Sequence, residues 1–188
     1  MKFYLVITNF KNYEERFYYG NSDNGTGDRT ITVQADSNEL LESRSASLTI
    51  DASLISKTIS VNQHGSAKVF AYILDANGDY LSANVIVNGA NMYNQEPAYV
   101  DKNKKLNFEI EPMGLNQRLA INFRPDQQFL SAQSSSSDWE VLLKTQHDIT
   151  ESIIIKSIVS APKNTVVNVS INNMESITLN VTQSLKKN

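Results

Sequence analysis

The residues of this chain best equipped for recognition are tyrosines set among amides. Tyr93 and Tyr99 lie close in sequence to Asn91, Asn94 and Gln95. A phenol ring stacks on the face of a sugar while neighbouring amides exchange hydrogen bonds with its hydroxyls. Tyr93, Tyr99, Asn91 and Asn94 are therefore the ligand-binding candidates. Tyrosines that pin a long loop to a sheet have the same composition, which is the competing use. Phe17-Tyr18-Tyr19 and Tyr80 are further aromatics beside polar residues, whereas Trp139, followed by Val141 and Leu143, reads as a plug for an apolar core.

Two oxygen-rich stretches resemble cation loops. Asp23-Asn24-Gly25-Thr26-Gly27-Asp28 offers carboxylates at both ends and glycines that let carbonyls turn inward, so Asp23 and Asp28 are the candidate ligands for Ca2+. Asp75, Asn77 and Asp79 match the first three ligand positions of a calcium loop. The continuation fails, because Tyr80 stands where glycine is needed and Ile86 where a bidentate glutamate belongs. No other cofactor is expected. Glu109 and Glu111 would project from one face of a strand about 7 Å apart, a spacing compatible with a glycosidase pair. Solvated carboxylates explain them as well, and catalytic pairs usually come from different strands. The two histidines, His64 and His147, sit beside turns, and no Gly-x-Ser-x-Gly elbow presents a nucleophile. With no assembled catalytic set, the chain reads as a non-enzyme.

Composition narrows the classes further. The 188 residues hold no cysteine, which removes disulfides, thiolate metal sites and a cysteine nucleophile together. Formal net charge is −3, from 17 basic and 20 acidic residues that are interspersed, so nucleic acid is not an expected partner. Met1 to Phe10 carries too short an apolar run for a signal peptide and reads as a first strand. Cytoplasmic synthesis or non-classical export is expected, with a mature chain freed of its leader as the alternative. No apolar run approaches the roughly 20 residues that cross a bilayer as a helix.

The elements that must position these side chains are strands. Val69, Ala71 and Ile73 alternate with Phe70, Tyr72 and Leu74, and Leu81, Ala83, Val85 and Val87 follow after Asp75-Ala76-Asn77-Gly78-Asp79. Asn-Gly predicts a type I′ hairpin turn there. Val167, Val169 and Ile171 alternate with polar residues, as do Ile177, Leu179 and Val181, which predicts an antiparallel pair across Asn172–Glu175. Ser37–Arg44 is a short helix candidate, and the isoleucines after Asp148 favour a strand over a helix. Ten to twelve short strands predict an all-β, antiparallel β-sandwich, immunoglobulin-like or jelly-roll-like. One domain over residues 1–188 is expected, with 97–105 the only candidate boundary.

Ser47-Leu48-Thr49-Ile50, the run from Ser66 to Asp79, and Ala83-Asn84-Val85-Ile86-Val87 together resemble the bacterial immunoglobulin-like repeats of invasin-type adhesins. The likeness spans residues 47–89 and departs from the pattern at Tyr80-Leu81, where a proline usually follows the turn. It implies a sandwich, and adhesion as an expectation.

Three functions follow. The first is a structural, adhesive or assembly protein acting through a protein partner or self-association. The second is a lectin-like carbohydrate-binding module using loop aromatics. The third is a β-pore-forming protein, since Ser47–Val61 and Ile153–Val181 alternate as barrel strands do and residues 159–169 resemble a strand-turn-strand of aerolysin-type pore formers.

Overall fold

The computed structural model describes residues 3–8, 18–19, 33–52, 55–146, 149–172 and 175–185. They form two compact units, one of Met1–Asn38 with Ser43–His64, the other of Glu39–Glu42 with Gly65–Asn188.

The first unit contains β1 (Phe3–Thr8), β2 (Tyr18–Tyr19), β3 (Val33–Gln34), β4 (Arg44–Ala52) and β5 (Ile55–Gln63). β1, β4 and β5 make an antiparallel sheet in that order, and β2 pairs with β3. Alternation in β4 buries Ala46 and Leu48. Its start is tied down by a polar clasp. Arg44 Nε donates to Gln63 Oε1 at 2.6 Å, and both side chains donate to the Asp36 carbonyl, at 2.6 and 2.8 Å. The helix expected over Ser37–Arg44 does not form. Residues 40–42 bend, and Arg44 already belongs to a strand. The reason lies in the second unit, where Leu41 is fully buried and its N–H donates to the Gln127 side-chain oxygen at 3.1 Å. A helix there would have to satisfy that N–H within its own ladder.

The second unit is a two-sheet sandwich. Its elements are β6 (Lys68–Leu74), β7 (Tyr80–Ser82), β8 (Val85–Val87), β9 (Ala90–Asn91), a 3-10 turn (Met92–Asn94), β10 (Ala98–Tyr99), β11 (Lys105–Ile110), β12 (Arg118–Arg124), β13 (Ser131–Ser134), β14 (Trp139–Gln146), β15 (Ile149–Ser157), β16 (Thr165–Ser170) and β17 (Ser176–Gln183). One sheet runs β10-β6-β12-β15-β14 with β7 also on β6; the other runs β13-β16-β17-β11-β8-β9. Pairing is antiparallel except between β11 and β17, which run parallel. Stretch 97–105 lies inside this unit, with β10 pairing β6.

Period-2 alternation builds the core. Val69, Ile121 and Ile153 from one sheet pack in the same cluster as Phe108, Val167 and Leu179 from the other. Each such side chain, fully removed from water, contributes roughly 1.5–3 kcal/mol. Trp139 is in that cluster, as its neighbours predict, and its indole N–H donates to the Lys163 carbonyl at 2.7 Å. Val167, Val169 and Ile171 are buried too, so the alternation of 153–181 is here the alternation of a sandwich. Among the described residues there is no α-helix, and no helix long and apolar enough to cross a membrane.

Candidate functional site

The site begins at the β6–β7 turn. Asp75 Oδ1 accepts the backbone N–H groups of Asn77, Gly78 and Asp79, at 2.8, 2.9 and 2.9 Å. The Gly78 N–H also donates to the Asp75 carbonyl at 3.2 Å, and Asp75 N–H to the Asp79 carbonyl at 2.8 Å. Within the turn Gly78 takes positive φ, 95°, and Asn77 does not, so it is not the type I′ that Asn-Gly predicts. The aspartate explains the difference, since its carboxylate gathers the turn's donors from the opening position. The Asp79 N–H, with those of Asn77 and Gly78 and the Arg118 guanidinium, holds this carboxyl below its ordinary value, against an opposing desolvation.

After β7 the chain leaves the sheet. Ser82 Oγ accepts the Asn84 N–H at 2.9 Å, and Val85 N–H donates to the Ala83 carbonyl at 2.7 Å. Val85 and Val87 therefore lie in the opposite sheet, rather than continuing the hairpin as their spacing predicts. This corner opens a cleft of about 570 Å³, lined by Leu81, Ser82, Asn84, Asn91, Tyr93, Glu111, Met113 and Gln117, among others.

The 3-10 turn aims the aromatic. Asn91 caps it by accepting the Tyr93 N–H at 3.0 Å, while its own N–H donates to Glu96 Oε2 at 3.0 Å. Gln95 closes the other end in the left-handed region at φ 58°, donating to the Met92 carbonyl. Met92 is buried beneath, so Tyr93 points outward and is 73% exposed. Tyr93 also edges a second hollow of about 360 Å³ shared with Tyr72 and Tyr80. Those two rings lie 6.2 Å apart, tilted by 38°, and Tyr80 is 66% exposed.

Of the four sequence candidates, Asn91 and Tyr93 line the cleft. Asn94 is exposed beside them in the turn. Tyr99 stands on β10, 48% exposed, where its carbonyl accepts from Asn88 Nδ2 at 2.9 Å; it is not among the lining residues. Sequence reasoning missed Asn84, Glu111 and Gln117 as a group, because sheet crossing brings them together and no local pattern marks it. Glu111 accepts a hydrogen bond from the Asn84 amide, whereas Glu109 accepts from Ser184 Oγ at 3.3 Å. Gln117 Oε1 accepts the Gly114 N–H at 2.7 Å.

Asp23, Asp28 and His147 lie outside the described residues. Among the described residues no group of three acidic or histidine side chains is placed to hold a metal ion. The Asp75 carboxylate is committed to the turn's N–H groups. What the cleft offers chemically is amides and a carboxylate that exchange hydrogen bonds, a hydroxyl, and a protruding ring on which a planar or apolar face can stack.

A family model described as "BACON: Putative binding domain, N-terminal" matches residues 20–64, which include β3, β4 and β5. No curated protein and no solved structure matches the chain. The family match overlaps residues 47–64 of the stretch that resembles invasin-type repeats.

Proposed function

We propose that this protein is a non-enzymatic binding protein and that its second unit holds a glycan at the Tyr93 cleft. One observation carries the reading: a tyrosine on a capped turn, 73% exposed, beside a cleft edged by Asn84, Asn91, Gln117 and Glu111. An exposed ring flanked by amides and a carboxylate gives a sugar a face to stack on and partners for its hydroxyls. The binding-domain match over residues 20–64 supports a binding role in general and names no ligand.

A screen of immobilised glycans, followed by calorimetry on any hit, tests this. Tyr93→Ala should weaken the hit about tenfold or more. It should leave unfolding within roughly 0.5 kcal/mol of the parent, because an exposed ring packs little. Silence across the screen, or unchanged affinity in the variant, removes the glycan.

A second reading, association with a protein partner as in adhesion or assembly, has its own observation. Leu115 and Ile158 are about half exposed on two loops joined by Asn116 N–H to the Ser157 carbonyl at 2.9 Å. Light scattering across concentration, with Leu115→Ser and Ile158→Ser, tests self-association; a monomer at every concentration defeats it.

A further inference from the structure

The outer face of β6, β12, β15 and β14 carries a pattern the Tyr93 cleft does not use. The register sets Tyr72, Ala120, Ile154 and Leu142 in one row across four strands, and Asn122, Ser152 and Lys144 in the next. Ala120 is only 1% exposed although alternation with Leu119 and Ile121 turns it away from the core, so its neighbours on this face cover it. Beyond Asn122, Arg124 pairs with Lys68 on β6. The result is a groove of about 550 Å³ lined by Tyr72, Asn122, Arg124, Asp126, Lys144 and Ser152, with Pro125 at its edge.

Its charge runs against that of the molecule. Two cations and one carboxylate line it, on a chain whose formal net charge is −3. Asp126 pairs with one guanidinium nitrogen of Arg124, leaving the other donors of the fork available. Among the described residues Lys68 and Lys144 have no carboxylate partner. Cations in a shallow hollow attract an anion, and charge-assisted hydrogen bonds to it are the stronger kind.

The neutral lining narrows the class. A bare anion has no use for the Tyr72 ring, the Asn122 amide or the Ser152 hydroxyl, whereas a sugar ring carrying an acidic substituent uses all three. An acidic peptide docking by strand addition needs an unpaired edge. This groove overlies β12 and β15, each paired on both sides. We infer that the groove is a second, separate binding site for an acidic saccharide, with Arg124 and Lys144 holding the carboxylate or sulfate and Tyr72 stacking on the ring.

The test titrates the full chain with galacturonate and glucuronate trimers, a sulfated galactose trimer, methyl-esterified uronates and a glutamate tripeptide, each at low and high salt. At least one acidic trimer should bind, about tenfold more tightly than its neutral counterpart, and weaken as salt rises. Lys144→Met and Arg124→Gln should each cost about tenfold, while Lys163→Met, which removes an exposed cation outside the groove, leaves this binding unchanged. Both cations are exposed, and a preserved circular dichroism spectrum shows that a variant is folded. No acidic trimer binding, an equally tight neutral ester, or a loss on Lys163→Met as large as on Lys144→Met overturns the site. Equal binding of the glutamate peptide overturns the saccharide in favour of an acidic peptide. A failure at the Tyr93 cleft leaves this result standing, since the probes and variants differ.

Discussion

At the scale of single residues, Asp75 shows how one carboxylate can replace a turn's inherent geometry. It accepts three backbone donors as an anion, and these lower its pKa in the folded chain. A depressed folded value means stabilisation that is present above the unfolded pKa, near 3.8, and lost as pH falls through the lower folded value. Asp75→Asn keeps an acceptor without the charge. Thermal unfolding from pH 7 down to pH 2 should show a shallower acid-side decline for Asp75→Asn than for the parent, and equal slopes would contradict this account. Gly65 makes a different kind of demand. An added Cβ would sit 2.0 Å from the Leu40 carbonyl oxygen and 2.7 Å from the Leu41 carbonyl, both backbone atoms that cannot swing away. Gly65→Ala should destabilise by about 1–3 kcal/mol in denaturant titration.

At the scale of elements, alternation was readable wherever one sheet face is buried. β16 and β17 form an antiparallel pair with Val167, Val169, Ile177 and Leu179 inside, as their spacing predicts. Leu179→Ala, at a fully buried position between β16 and β11, should cost about 2–5 kcal/mol in chemical unfolding. What alternation cannot encode is which sheet a strand joins. Leu81, Ala83, Val85 and Val87 keep one period through a corner at Ala83–Asn84, so a two-fold pattern reads as one strand where the chain makes two. The same blindness hides the cleft. Tyr93 and Asn91 are neighbours in sequence and legible as a pair, whereas Glu111 and Gln117 reach them only through that crossing. The expected helix over Ser37–Arg44 fails for a related reason: Leu41 is claimed by a tertiary partner, Gln127, 86 residues away.

Considered as a whole, the molecule's second unit recruits four residues, Glu39–Glu42, from before the last strands of the first. Leu41 is among its fully buried side chains, and the Gln127 amide that meets it also donates to the Pro125 carbonyl at 2.7 Å. Leu41→Ala should cost the second unit about 2–5 kcal/mol. A fragment starting at Gly65 should unfold at lower denaturant than one starting at Glu39, measured by Trp139 fluorescence; equal midpoints would show that the borrowed segment contributes nothing.

The parallel pairing of β11 with β17 has a consequence for how the protein comes into being. Asn107 and Asn180, hydrogen-bonded side chain to side chain across those strands, are separated by 73 positions. β17 lies between β11 and β16, so neither has its shared neighbour until translation has passed Gln183. A nascent chain stalled before Ser176 would leave one edge of β11 and one edge of β16 unpaired, since each has only its other neighbour, β8 or β13. Closure of that sheet is thus a late, long-range event, the kind of step that slows folding and invites chaperone capture on the ribosome.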